Sequence, residues 1–329
     1  MTMKSEVSPE GIYRARKIVY QHLRPTPLRY YDTLSETVGC RMFVKHENHN
    51  PTGSFKVRGG LNLISGLSAE EKQRGVITAT RGNHGQSVAY ASRIFDVCCT
   101  IVVPKGNNPE KNQAMRVLGA ELIEHGKDFD EARTLVEELM RQRGMRYVHP
   151  ANEPQLIHGV GTYSLEILED LPEVDVVIVP IGAGSGTSGA ITVFRSLKPG
   201  VRIIGVQAEK APCVYLSWKE EKMVQTESSD TFADGLATRV PFELPLSIIR
   251  DGVDDIILVS EEEIRLAVLL LLRTTHNLAE GAGAAPMAAA LKIRERLAGK
   301  NVVVILSGGN IDLETLRWVI GLRSTAPAT

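Results

Sequence analysis

Six short apolar runs, separated by longer stretches of helical pattern, constrain what this chain can fold into more than any other feature. They read MFVKH at 42–46, GVITAT at 75–80, CTIVVP at 99–104, DVVIVP at 175–180, RIIGVQ at 202–207 and NVVVIL at 301–306. A strand with one wet face alternates apolar and polar residues. These runs are nearly continuous, so both faces are covered and the strands run parallel. Between the third and fourth runs, Phe129, Ala132, Leu135, Val136, Leu139 and Met140 fall at helical spacing, as expected of a helix lying on such a sheet. The predicted class is α/β, doubly wound. At 329 residues the chain exceeds the roughly 100 to 200 residues of a usual single core, so two domains are expected.

Open parallel sheets place ligands beyond the carboxyl ends of their strands. The unusual segments fall there: Gly82–Gly85 follows the run ending at Thr80, Gly182–Gly189 follows DVVIVP, and Ser307–Asn310 follows NVVVIL. The loop PIGAGSGTSGA, 180–190, can lay several backbone N–H groups around one anion, with the next helix's N-terminus adding a favourable field. Taken alone it has three readings. Gly184, Gly186 and Gly189 satisfy G-x-G-x-x-G after a strand, with Glu209 twenty residues on, which suits a dinucleotide. The same loop suits a compact phosphate, or a tight turn with no ligand.

The segment HENHNPTGSFKVRGG, 46–60, separates these readings. A lysine is ordinarily a solvated surface charge. Lys56 instead lies between Phe55 and Val57, just before Gly59 and Gly60, where a partly apolar setting would depress its pKa. An amine so tuned can form a Schiff base, which a nicotinamide enzyme would not need.

Charge and cysteine usage narrow the partners. A formal net charge of -1 with no concentrated basic face argues against nucleic acid or an acidic membrane and for a small molecule. Cys40, Cys98, Cys99 and Cys213 have no CxxC spacing and no secretory leader precedes them, so small buried hydrophobes in a reduced cytoplasm are expected. The most apolar stretch, Ile264 to Leu272, stops at Arg273, far short of the roughly 20 residues a membrane span needs. The Ala/Pro/Thr tail after Arg323 is expected to fray.

SFKVRGG, TRGNHGQS, GAGSG and LSGGN occur in this order over most of the chain. Together they resemble the threonine dehydratase and serine racemase branch of the fold-type II (tryptophan synthase β-like) pyridoxal-phosphate enzymes. The resemblance implies a homodimer of chains with two parallel-sheet domains, a large one of residues 1–65 and 155–329 and a small mobile one of 66–154. Pyridoxal 5'-phosphate would lie in the cleft between them. Lys56 would hold the cofactor as a Schiff base, Phe55 would pack on its ring and Asn83 would bond its phenolic oxygen. Gly182, Ala183, Gly184, Ser185 and Gly186 would hold its phosphate, and Ser307 would face its pyridine nitrogen. The backbone around Thr80, Arg81 and His84, with Asn83, would take the substrate carboxylate. A serine hydroxyl cannot stabilise a protonated pyridinium as a carboxylate would, so elimination is favoured. The implied reaction is dehydration of L-threonine, L-serine or a related 3-hydroxy amino acid to a 2-oxo acid and ammonia, with racemisation or β-replacement on the same cofactor as the alternative. Phenylserine and hydroxyectoine-derived compounds are among the bulkier candidates.

Departures from the family pattern limit the assignment. Where serine racemases carry Ser-Ser-Gly-Asn-His, this chain has Thr80, Arg81, Gly82, Asn83 and His84. The serine of the second face is therefore Arg81, which weakens racemisation. Arg81 is expected either to bind an acidic substrate or to form a surface salt bridge. Relatives that bind a divalent cation carry an aspartate where this chain has Tyr215, six residues after Glu209, so no metal is expected. The chain also stops before any C-terminal amino-acid-sensing domain, so feedback through one is not expected. Glu280 is expected beside the cofactor ring or as a helix cap, and Asp234–Gly235 as a cofactor-side loop or an ordinary turn. His46, His49, His149, His158 and His276 are scattered without ligand spacing and read as structural.

Overall fold

Ten strands form two separate sheets in the computed structural model, which describes residues 6–127 and 129–321. In chain order they are β1 Leu28–Tyr30, β2 Arg41–His46, β3 Val76–Ala79, β4 Cys99–Val103, β5 Glu121–Glu124, β6 Arg146–Tyr147, β7 Val176–Pro180, β8 Arg202–Ala208, β9 Asp255–Val259 and β10 Asn301–Leu306. The larger sheet has the order β1-β2-β10-β7-β8-β9 and the smaller β5-β4-β3-β6. Every pairing is parallel except that of the edge strand β1 with β2. The six predicted runs are the interior of this framework. The tail after Arg323 lies outside the described residues.

Period-two alternation divides each strand between two cores. Met42, Val44, Val176, Ile178, Val302 and Val304 face one side of the larger sheet, packing against the helices Glu261–Thr275 and Gly281–Lys292. Phe43, Val177, Val179, Val303 and Ile305 face the other, against the helices Pro154–Asp170, Ser185–Leu197 and Glu243–Gly252. The smaller sheet is built the same way. Ile77, Ala79 and Val102 meet Ala132, Val136 and Leu139 of the helix Phe129–Arg143, whose periodicity was legible in the sequence. The apolar stretch Ile264–Leu272 lies within the capped helix Glu261–Thr275, and no described helix is long and apolar enough to cross a membrane.

The helix Lys56–Ser65 connects the two halves. Its Val57, Leu61 and Ile64 enter the core of the smaller sheet with Val76, Ile101 and Val103. Its Arg58 points instead into a buried ionic cluster beside the larger sheet. The guanidinium donates from Nε to Glu47 Oε2 at 2.7 Å and from its two terminal nitrogens to Glu166 at 2.6 and 2.9 Å. Lys45, also fully buried, pairs with Glu166. Burial opposes charge on Arg58, but Glu47 and Glu166 override it and hold the guanidinium ionised. One turn of helix is thus tied to both sheets immediately after Lys56.

Candidate active site

The carboxyl ends of β3, β7 and β10 open onto one cleft of about 620 Å³, and every residue expected to hold cofactor or substrate borders it: Phe55, Lys56, Thr80, Arg81, Asn83, His84, Gly182 to Gly186 and Ser307. Lys56 is the first residue of its helix. Its Nζ donates to Ser185 Oγ at 3.0 Å and lies 5.3 Å from the centroid of the Phe55 ring. Burial pushes this ammonium down to about 8. The segment before it is stitched to the loop after β10: Phe55 N–H donates to the Ser307 carbonyl at 3.0 Å and Gly309 N–H to the Gly53 carbonyl at 2.9 Å. The Ser307 backbone is therefore held beside the lysine segment, at the edge of the cleft, by hydrogen bonds that any side chain there would permit.

The loop after β7 is shaped by close approach. A Cβ on Gly182 would stand 1.8 Å from the Gly235 carbonyl oxygen, and Gly184 has φ +89°, a conformation other residues resist. Gly184 is the N-cap of the helix Ser185–Leu197 and offers no side chain to cap it, so the free N–H groups of the first turn face the cleft beside Lys56. The Tyr163 hydroxyl donates to the Gly186 carbonyl at 2.9 Å and its ring meets Phe55 edge-on at 6.2 Å, which fixes the loop against the lysine segment.

The loop after β3 is closed by Thr80, whose Oγ1 accepts from the N–H groups of Gly82 and Gly85. The His84 ring turns into the core, where Nε2 lies 3.1 Å from Thr78 Oγ1 and 3.2 Å from the Val148 carbonyl. Burial and the Lys56 charge hold it neutral, down to about 3. Asn83 is clamped from the larger sheet: its amide donates to Glu280 Oε1 at 2.7 Å and its oxygen accepts from Asn310 at 2.8 Å. The Glu280 side chain thus bonds Asn83 rather than capping the helix it precedes. Burial raises the pKa of Glu280, against the opposing pull of Lys111 and Asn83.

A model of the family described as pyridoxal-phosphate dependent enzymes matches residues 19–308. The chain belongs to this family. It is 41% identical over 314 residues to an L-threonine ammonia-lyase of Thermotoga maritima, covering 95% of this chain and 78% of that one. Its fold matches a threonine deaminase isoform of Solanum lycopersicum at TM-score 0.90 and 33% identity, over 96% of this chain and 94% of the other. A serine racemase of Dictyostelium discoideum matches at TM-score 0.87 and 33% identity, over 94% and 100%.

The residues present suit the cofactor of this pyridoxal-phosphate family. A desolvated amine faces an uncapped helix N-terminus whose glycine loop leaves room for a phosphate, and a neutral hydroxyl residue lies across from it. Glu209, the acid of the dinucleotide alternative, does not border this cleft and bonds Lys292 at the surface. Tyr215 meets Trp218 at a tilt.

Three expectations need correction, and one pair of alternatives is separated. Cys98 is exposed, unlike the other three cysteines, because it precedes the buried start of β4. Arg81 is exposed and has no ion-pair partner among the described residues, so the surface salt bridge is not formed. Asp234 and Gly235 border the cleft, in keeping with the cofactor-side alternative, and Asp234 forms an ion pair with Lys111 that joins the larger sheet's side of the cleft to the smaller one's. His149, read as structural, borders the cleft. Its Nδ1 accepts from the N–H groups of Ala151 and Asn152 at 3.0 and 2.9 Å, which leaves the ring proton on Nε2, and burial lowers its pKa to about 4. Lys111 and Arg133, also in the cleft wall, carried no sequence signal, because each is an isolated charge on a helix.

Proposed function

We propose that this chain is a pyridoxal-phosphate-dependent ammonia-lyase acting on L-threonine, L-serine or a related 3-hydroxy amino acid, releasing a 2-oxo acid and ammonia. The observation that carries the reading is the desolvated Lys56 amine set against the uncapped glycine loop, with Ser307 rather than a carboxylate across the cleft. Named relatives at about 40% identity are threonine ammonia-lyases and dehydratases, which supports the reaction.

In this reading Lys56 would hold the cofactor and its free amine would take the α-proton. The first-turn N–H groups of the 182–186 loop would hold the phosphate, Asn83 would bond the phenolic oxygen, and Phe55 would flank the ring. The cofactor, when bound, supplies an electron sink for the bond-breaking steps. Ser307 leaves its ring nitrogen without a carboxylate partner, which tempers that sink. The backbone of the loop at Thr80, Arg81 and His84, with Asn83, would take the substrate carboxylate through the N–H groups of Arg81 and His84, since the Thr80 N–H is spent on the Val102 carbonyl at 3.1 Å. Arg81 stays charged at physiological pH and makes a poor proton shuttle, so elimination outruns racemisation.

The reading extends to a homodimer in the cytoplasm, in which residues 66–154 move as a small domain against the remainder. Separate cores on the two sheets support that division, although the helix Lys56–Ser65 packs into the smaller sheet's core as well as anchoring to the larger sheet's side. The deciding experiment supplies purified protein with pyridoxal phosphate and L-threonine or L-serine and measures 2-oxo acid. Release from wild type, lost in Lys56→Ala together with the borohydride-sensitive visible band, is the expected result. No release from any 3-hydroxy amino acid would overturn the reading.

A further inference from the structure

The charges bordering the cleft do not balance. Each acid there is engaged within the chain: Asp234 pairs with Lys111, Asp230 lies 3.8 Å from Lys210, and Glu280 bonds Asn83. The cations are less well matched. Arg81 has no ion-pair partner among the described residues, although it stands in the cleft wall. Arg133 meets Glu137 only at 3.7 Å along its own helix, and its buried Nε has no hydrogen-bond acceptor. A guanidinium is a forked donor suited to a carboxylate, and two of them border this cleft. His149, close enough to Arg133 to feel its charge, adds a ring whose proton lies on Nε2.

We propose that Arg81 and Arg133 recognise a second carboxylate on the substrate, so that the preferred 3-hydroxy amino acid is a dicarboxylic one bearing that group on its β-carbon. This rests on the ammonia-lyase reading above, in which the backbone N–H groups of Arg81 and His84 already take the α-carboxylate. The guanidiniums are then left for a different group. The β-hydroxyl must remain as leaving group, so the second anion is the other substituent of the β-carbon. For 3-hydroxyaspartate the Cα–H and Cβ–O bonds break and water departs; hydrolysis of the resulting enamine returns one water and releases ammonia and oxaloacetate. No oxidant or reductant is required.

The test compares kcat/KM for L-threo- and L-erythro-3-hydroxyaspartate, L-serine and L-threonine in wild type, Arg81→Ser, Arg81→Lys and Arg133→Gln holoenzyme. Wild type should favour one hydroxyaspartate over L-threonine by about tenfold or more, the scale of one partly exposed charge-assisted pair. The ratio of hydroxyaspartate to serine should fall about tenfold in Arg81→Ser and Arg133→Gln and recover in part in Arg81→Lys. General damage to the fold would lower all substrates together and leave that ratio unmoved. Turnover of serine or threonine without preference for the diacid would sink the inference and leave the ammonia-lyase reading standing. A diacid preference unmoved in both neutral variants would also sink it. If no amino acid is turned over, calorimetry with succinate and butyrate decides. Succinate bound about tenfold more tightly, with the difference lost in Arg81→Ser, supports the cationic wall, and equal binding overturns it.

Discussion

Attachment of the cofactor to Lys56 should follow an unusually low titration. An ordinary lysine titrates near 10.5, and burial brings this one to about 8. The neutral amine is the nucleophile, so lowering the pKa raises the reactive fraction wherever the pH lies below it. At neutral pH that fraction becomes about one in ten instead of about one in three thousand, a gain of roughly 300-fold. The only resolved cause is desolvation, and nearby His84, held down to about 3, stays neutral over the whole range. The assay removes the cofactor, adds pyridoxal phosphate back between about pH 6 and about pH 10, and traps the linkage with borohydride at timed intervals. The rate should climb about tenfold per pH unit and then level off above about 8. Ser185→Ala removes the oxygen that accepts from Lys56 at 3.0 Å and so favours the charged form less, which should move the plateau to lower pH. A rate still rising linearly through about pH 10 in wild type would mean that Lys56 is solvated like any surface lysine.

Arg58→Met leaves Glu47 buried without its cation and should cost about 3 to 5 kcal/mol of stability by chemical denaturation; a loss under about 1 kcal/mol would show that the cluster does not anchor the Lys56 helix. Gly184→Val combines φ +89° with a Cβ that would meet Pro245 at 2.8 Å, so cofactor affinity should drop by about tenfold or more in an equilibrium titration. Asn83→Ala removes the donor to Glu280 and lets the burial-driven rise in that carboxyl's pKa grow; the pH profile of turnover should change shape, while a profile merely scaled down would argue against the coupling. Chiral chromatography after incubation with L-serine should find 2-oxo acid well in excess of D-serine, and Arg81→Ser should raise the D-serine share.

The sequence by itself determined the parallel frame and the loops that carry the site. Apolar runs such as DVVIVP and NVVVIL admit only strands covered on both faces, and in a parallel sheet the loops after them must gather at one edge. That is why Lys56, Asn83, Gly182 to Gly186 and Ser307, far apart in the chain, border one cleft. Weaker strands escaped because periodicity reports burial and these have little. ELIE at β5 and the two residues of β6 lie at the sheet edges, and the three-residue β1 runs antiparallel on the rim. DIILV at β9, the other edge of the larger sheet, also stands outside the six runs although its composition is that of a strand. What only the tertiary structure decided is which charges meet. Lys111 and Asp234, Asn83 and Glu280, and Arg58 and Glu166 are each more than a hundred residues apart, and nothing local in the sequence pairs them. Local pattern reports how deeply a residue is buried and on which face, whereas partnership between distant side chains depends on how helices and loops from the two sheets pack together.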